Sequence, residues 1–165
     1  MVGGFPQTSV YRARGPRTGL PNVLFVGDSP LLASGFGRVI RELMIRLAKE
    51  PGLELACLGW GFDGWPYDAR KFPCCIYPGN PSTYGEDVFE RVVNEFRPGI
   101  VITLGELWML QWMRHHPTRA QFKWIAYVPI DGGPLYPPWQ PFLREMDEIV
   151  AMSRFGQEIL QDPPQ

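Results

Sequence analysis

Residues 22–47, NVLFVGDSPLLASGFGRVIRELMIRL, decide the fold. Residues 23–26 are continuously apolar, which is typical of a parallel strand that is buried on both faces. After a loop of Ser, Pro and Gly, apolar residues recur on one helical stripe over 39–48, and Pro51-Gly52 ends the pattern. The stretch therefore predicts a strand, a loop at its carboxyl end and an amphipathic helix.

The same alternation of strand and helix continues along the chain. Residues 53–59 predict a second strand about thirty residues after the first, which is the span of one strand-helix-strand crossover. Further strands are predicted at 72–77, 100–104, 123–128 and 148–152, and helices at 83–96, 107–113, 143–146 and after Ser153. Thr83 and Glu86 have the spacing of a capping box for the second long helix. The pattern predicts an α/β fold, with a doubly wound, mainly parallel sheet and helices on both faces.

Composition limits the classes of protein to consider. The 165 residues are 45% apolar, and a chain of this size can form its own core without disulfides or metal. The net charge of -1 gives no reason to expect nucleic acid or an anionic membrane as a partner. No apolar run approaches the roughly 18 residues of a transmembrane segment, and residues 1–10 lack the apolar centre of a signal peptide. We therefore expect a cytoplasmic protein without a transmembrane segment.

The ends of the chain differ from its centre. Residues 1–21 contain three arginines, no acidic residue and no apolar period, which predicts a flexible N-terminal arm. A solvated leader is the simpler interpretation of this arm, and contact with a phosphate or a partner is the alternative. The α/β domain is expected over 22–160, and 161–165 are expected to begin an interdomain linker.

Neither the cysteines nor the histidines predict a metal site. Three cysteines without a C-x-x-C spacing favour reduced thiols. Cys74-Cys75 could form a redox or metal pair, but small apolar strand residues are the simpler interpretation. His115-His116 has no HExxH pattern, so a surface loop is favoured over zinc.

The loop after the first strand contains the first candidate binding residues. In open parallel sheets, ligands bind beyond the carboxyl ends of the strands. Here Ser34, Gly35 and Gly37 precede Arg38, so backbone N–H groups, a helix N-terminus and a guanidinium would suit an anion. The spacing matches neither the dinucleotide fingerprint nor a P-loop, and a purely structural turn is an equal alternative.

Two carboxylates follow later strands in the same way. Asp131, followed by Gly132, has the placement of a general base at the end of the fifth strand. Its alternative role is to stabilise a turn or to cap a helix. Glu106 follows the fourth strand and is the second candidate, although it could equally cap the next helix.

Several segments together carry a resemblance to a known family. They are residues 22–47, residues 84–110 (YGEDVFERVVNEFRPGIVITLGELWML), residues 123–139 (KWIAYVPIDGGPLYPPW) and residues 148–160 (EIVAMSRFGQEIL). In these segments the chain resembles the N-terminal, Rossmann-like half of family 4 glycosyltransferases of the GT-B architecture, over about residues 22–160.

The resemblance implies a reaction and a set of contacts. Members of the family hold a nucleotide-sugar between two Rossmann-like domains, retain the anomeric configuration and need no divalent metal or other cofactor. By resemblance, the glycine loop faces the donor phosphates and the acceptor, and Asp131 stands where many relatives have a histidine that contacts donor sugar or acceptor. Ser153 and Arg154 match the segment that leads towards the second domain.

The expected function is that of the acceptor-side domain of a retaining glycosyltransferase, which transfers a sugar to a hydroxyl of a saccharide or another hydroxyl compound. The donor-binding C-terminal domain of that family is expected to be missing, so that this chain alone is inactive and the apolar loop 134–139 favours a homodimer. The alternative is a stand-alone Rossmann-like module that binds a sugar or nucleotide, or self-associates, without turnover. Tryptophans could stack on sugars or simply pack in either case: Trp60, Trp65, Trp108, Trp112 and Trp139.

Overall fold

A computed structural model of the protein describes residues 19–161. Residues 1–18 of the predicted arm and residues 162–165 of the predicted linker lie outside the described residues. No helix in the described part of the chain is long and apolar enough to cross a membrane.

Within residues 19–161, six strands form one sheet in which every paired strand runs parallel. The strands are β1 Val23–Asp28, β2 Leu55–Trp60, β3 Cys75–Gly79, β4 Ile100–Leu104, β5 Lys123–Val128 and β6 Glu148–Ala151. Their spatial order is β3-β2-β1-β4-β5-β6, so the direction of winding reverses between β1 and β4. The predicted Rossmann-like, doubly wound α/β fold is confirmed.

Helices cover both faces of the sheet. The α-helices are α1 Gly35–Leu47, α2 Glu86–Phe96, α3 Trp139–Leu143 and α4 Arg154–Gln161, and single-turn 3₁₀ helices cover Leu107–Met109, Gln111–His115 and Arg119–Gln121. Ile40 and Met44 of α1 pack in the cluster that contains Phe25 of β1. Phe89 of α2 packs in the cluster that contains Leu24, on the opposite face of the same strand.

The predicted capping box at the start of α2 is wrong. The helix begins at Glu86 with Gly85 as its N-cap, and no side chain caps it. Thr83 instead donates from Oγ1 to Asp87 Oδ1 at 2.6 Å. The reason lies in the backbone, because Tyr84 and Gly85 have φ values of 51° and 80° and turn the chain just before the helix.

Three other elements differ in position from the pattern in the sequence. The third strand covers Cys75–Gly79 instead of 72–77, because Phe72 is buried in the core cluster beside the ring of Tyr67 without pairing in the sheet. The helix expected over 107–113 is two separate 3₁₀ turns, and the helix expected over 143–146 ends at Leu143. An apolar run reports burial, and its large apolar residues are buried here without forming the regular element that was expected: Phe72, Leu107, Leu110, Met113 and Met146.

The cysteines are free thiols that belong to the packed sheet. Cys57 and Cys74 are buried and Cys75 is half-buried. Burial raises the pKa of Cys74 and of Cys75 to about 11, so both stay protonated at neutral pH. Among residues 19–161, no group of three His, Cys, Asp or Glu side chains is arranged to hold a metal ion.

Candidate functional site

The predicted site residues lie at the ends of three neighbouring strands. Gly27 of β1 pairs with Leu104 of β4, which pairs with Tyr127 of β5, so the loops that follow these strands leave the sheet side by side. We call loops 28–35, 105–109 and 129–133 the carboxyl edge. It includes the point where the winding reverses, which is where sheets of this type bind ligands.

One hydroxyl holds the turn between β1 and α1. Ser34 is the N-cap of α1, and its Oγ accepts a hydrogen bond from Gly37 N at 2.9 Å. The same hydroxyl donates to Asp28 Oδ2 at 2.6 Å. Asp28 therefore places a carboxylate beside the N-terminus of α1. One N–H group of that N-terminus, Gly37 N, already donates its hydrogen bond to Ser34. These contacts disfavour a phosphate at the turn.

The two glycines of this turn have different surroundings. An added Cβ at Gly37 would lie 2.6 Å from the carbonyl oxygen of Ser29 and 2.9 Å from Ser34 Oγ, so packing within the chain itself requires a glycine there. An added Cβ at Gly35 would meet no atom within 4 Å. The structural alternative thus accounts for Gly37, and Gly35 is the position that leaves room for a ligand. Arg38 lies exposed one turn further along the helix.

Glu106 and Asp131 form a pair of carboxylates at the carboxyl edge. Glu106 occupies the N-cap position of the 3₁₀ helix Leu107–Met109, but its side chain makes no capping hydrogen bond, so its alternative role as a cap is not realised. Its half-buried position and the negative charge of Asp131 raise the pKa of Glu106. A carboxyl with a raised pKa exchanges a proton more readily near neutral pH, as a general acid or base must.

The surroundings of Asp131 are open. Asp131 is exposed just beyond β5, and an added Cβ at Gly132 would meet no atom within 4 Å. Within the described residues no hydrogen bond reaches the carboxylate of Asp131 or of Glu106, so both can accept hydrogen bonds from a ligand. The effect of the Asp131 charge on Glu106 depends on how the two loops lie in the folded chain, which spacing in the sequence could not reveal.

Ser153 and Arg154 stand where the last strand leads into α4. Ser153 Oγ accepts a hydrogen bond from Gly156 N at 2.9 Å, which confirms that Ser153 caps the final helix. Arg154 is exposed in the first turn. The helix packs Ile159 against Gly133, where an added Cβ would collide with it. Ser153 therefore has a structural role, and ligand contact by Arg154 stays a prediction.

An aromatic ladder at the same edge was not predicted. Trp108 is 52% exposed, its ring centroid lies 5.4 Å from that of Tyr84, and the two planes are nearly perpendicular at 88°. Tyr84 in turn lies 5.4 Å from Trp60, which is only 3% exposed at the end of β2. The sequence identified the tryptophans as residues that stack or pack, but nothing in it singled out Tyr84.

The loop 134–139 is exposed at four of its six residues, namely Pro134, Tyr136, Pro137 and Pro138. Leu135 is buried in the core, and Trp139 is half-buried against Phe142. Tyr136 is 62% exposed. The loop thus keeps exposed apolar surface from Tyr136 and three prolines, and association of two chains stays a prediction.

An open depression of about 600 Å³ lies at the opposite end of the sheet. It is lined by residues at the end of α2 and before β4 and β5, among them Val93, Asn94, Arg97 and Gln121. Its position beside the amino ends of the strands is not where open parallel sheets bind ligands. We therefore place the candidate site at the carboxyl edge.

Comparison with known proteins gives no family assignment. No protein-family model matches the sequence, and no curated protein is significantly similar to it. The resemblance to glycosyltransferases thus rests on the segments quoted above and stays a prediction, whereas the fold is observed directly.

Proposed function

We propose that this chain is the acceptor-side domain of a retaining glycosyltransferase of the GT-B architecture, which transfers a sugar from a nucleotide-sugar to an acceptor hydroxyl. The observation that supports the proposal best is the placement of two carboxylates, Glu106 and Asp131, at the carboxyl ends of adjacent strands, where neither has a hydrogen bond or ion pair with residues 19–161. Carboxylates of this kind accept hydrogen bonds from hydroxyl groups, which neutral sugars present in abundance.

In this proposal the acceptor lies over the carboxyl edge. Asp131, with open space at Gly132 beside it, accepts a hydrogen bond from the reacting hydroxyl and polarises it. Glu106 accepts a hydrogen bond from a second hydroxyl and fixes the orientation of the ring. The nucleotide-sugar is a co-substrate, and the proposal includes no other cofactor.

Turnover requires a second domain that binds the nucleotide-sugar donor. Holding two reactants together in the right geometry supplies up to roughly 7–11 kcal/mol of the rate enhancement, and a single domain that orients the acceptor alone does not supply it. The proposal therefore includes a second α/β domain that binds the nucleotide-sugar. Reading the coding DNA beyond Gln165 tests this requirement directly.

The proposal is tested by turnover of the protein together with that second domain, measured as nucleotide release from a panel of nucleotide-sugars. Glu106→Gln and Asp131→Asn each keep the size of the side chain and remove its charge. Both should lower turnover. Glu50→Gln is the matched control, because Glu50 is an exposed carboxylate that follows α1, away from the carboxyl edge.

Two results would decide against the proposal. Full turnover by both carboxylate variants would remove the site from the reaction. Binding of sugars or nucleotides without turnover in any form of the protein would favour the alternative of a stand-alone binding module.

A further inference from the structure

A tryptophan is held on the surface beside the candidate carboxylates. Trp108 belongs to the 3₁₀ helix that begins directly after Glu106, and its indole is 52% exposed. Leu107 and Leu110, on either side of it in the sequence, are buried in the core. The short helix is thus anchored by its leucines, and the anchoring keeps the indole at the carboxyl edge.

The loop after β3 supports this indole from one side. The ring plane of Tyr84 lies at 88° to that of Trp108 and at 67° to that of Trp60, with 5.4 Å between ring centroids in each pair. Tyr84 reaches this position through a backbone φ of 51°, which residues other than glycine rarely adopt. Gly105 leaves room for Trp60, since an added Cβ would lie 3.1 Å from its ring. The exposed ring is therefore preorganised before any ligand binds.

The chemistry around Trp108 combines an apolar ring face with acceptors of hydrogen bonds. Glu106 is two residues away along the chain, and Asp131 is close enough to influence its ionisation. A pyranose ring has an apolar face of C–H groups and a rim of hydroxyl groups, so it can use an aromatic face and a carboxylate together. The phosphates of a nucleotide, by contrast, would be repelled by the two carboxylates.

We propose that Trp108, supported by Tyr84, is the stacking platform for an uncharged hexopyranoside, whose hydroxyls hydrogen-bond to Glu106. The identification of this sugar as the acceptor rests on the proposed function. Binding of the sugar by the chain alone does not depend on it, because no donor and no second domain take part.

The test is a ligand-observed saturation-transfer NMR titration of the chain with methyl α-D-glucopyranoside, maltose and cellobiose. We expect a Kd in the millimolar range for at least one of these probes. Trp108→Ala should raise this Kd at least about tenfold, which corresponds to a loss of about 1.4 kcal/mol in binding free energy. Trp108→Leu keeps apolar bulk without an aromatic face and should raise the Kd by as much. It replaces Trp108→Ala in the test if the alanine variant does not fold. The melting temperature of the leucine variant should match that of the wild type.

The matched control is Trp65→Ala. Trp65 is 42% exposed and also contacts one aromatic ring at a steep angle, that of Phe62 at 4.7 Å, but it lies on the loop between β2 and β3. Its replacement should change the Kd less than about twofold, whereas Glu106→Gln should weaken binding at least about threefold.

Several results would overturn the platform. They are the absence of binding of every probe up to about 50 mM, equal losses in the Trp108 and Trp65 variants, and binding of tetramethylammonium in place of sugars, which would indicate a cation site. If sugars do not stack on Trp108, the proposed function can still be tested by the turnover of the Glu106 and Asp131 variants. Failure of turnover, in turn, leaves sugar binding by Trp108 in place.

Discussion

Replacing Gly37 by alanine should destabilise the fold, whereas the same change at Gly35 should not. The new Cβ at residue 37 would lie 2.6 Å from the Ser29 carbonyl oxygen and 3.2 Å from that of Leu32. Both are backbone atoms of the turn before α1, so they cannot rotate away as a flexible side chain would. Overpacking of this kind costs about 1–3 kcal/mol.

Relief of that overlap has a second cost. Moving α1 away from the turn stretches the hydrogen bond from Gly37 N to Ser34 Oγ, and loss of an N-cap costs about 1 kcal/mol. The free energy of unfolding of Gly37→Ala should therefore fall by about 2–4 kcal/mol in total. Gly35→Ala places its Cβ in open space and should raise the free energy of unfolding by about 0.5–1 kcal/mol, because alanine restricts the unfolded chain.

Urea unfolding, followed by tryptophan fluorescence, measures both variants against the wild type. For a chain of this size the expected loss at Gly37 corresponds to a melting temperature lower by about 4–16 °C. Equal stability of the two variants, or a greater loss at Gly35, would refute the interpretation of Gly37 as a residue required by internal packing.

Three further predictions concern the carboxylates and the surface. Asp131→Asn in the two-domain protein should lower kcat at least about a hundredfold with an unchanged melting temperature, and unchanged kcat would dismiss Asp131 from the reaction. Hydrogen bonds from Trp124 N and Lys123 Nζ hold the pKa of Asp147 down at about 2, so its contribution to stability should be complete above about pH 4 and lost as the pH falls towards 2. Asp147→Ala should therefore lower the unfolding free energy by about 1–3 kcal/mol at neutral pH and by less near pH 2, as urea unfolding at both pH values will show. The chain alone should release no nucleotide from nucleotide-sugars, and light scattering should show dimerisation that rises with concentration, because Tyr136 and three prolines of the predicted apolar loop are exposed.

The sheet could be predicted because its strands are buried on both faces. β4 and β5 have the bounds that their apolar runs predicted, and β1 begins with its run and continues two residues beyond it, since a strand covered by helices on both sides favours apolar residues on both faces. The start of α2 could not be predicted in the same way. Thr83 and Glu86 satisfy the pattern of a capping box, but the positive φ at Tyr84 depends on its packing between Trp60 and Trp108, which are distant in the sequence.

The candidate site was predicted only in part for a related reason. Glu106 and Asp131 could be identified because residues that follow parallel strands share one edge of the sheet. The effect of one carboxylate on the other, and the exposure of Trp108, depend on how three separate loops pack. The different environments of Gly35 and Gly37 likewise depend on the path of the turn over Ser29, which the glycine spacing does not encode.

The central claim is that the acceptor binds at the carboxyl edge of the sheet, and mapping of backbone amide shifts on the isotopically labelled chain tests it most directly. On titration with methyl α-D-glucopyranoside, maltose and cellobiose in turn, the account predicts that at least one of the sugars causes shift changes concentrated in residues 105–109 and 131–133, with smaller changes at Gly35. Changes concentrated instead around Arg97 and Gln121, in the depression at the opposite end of the sheet, would contradict it, as would the absence of any change.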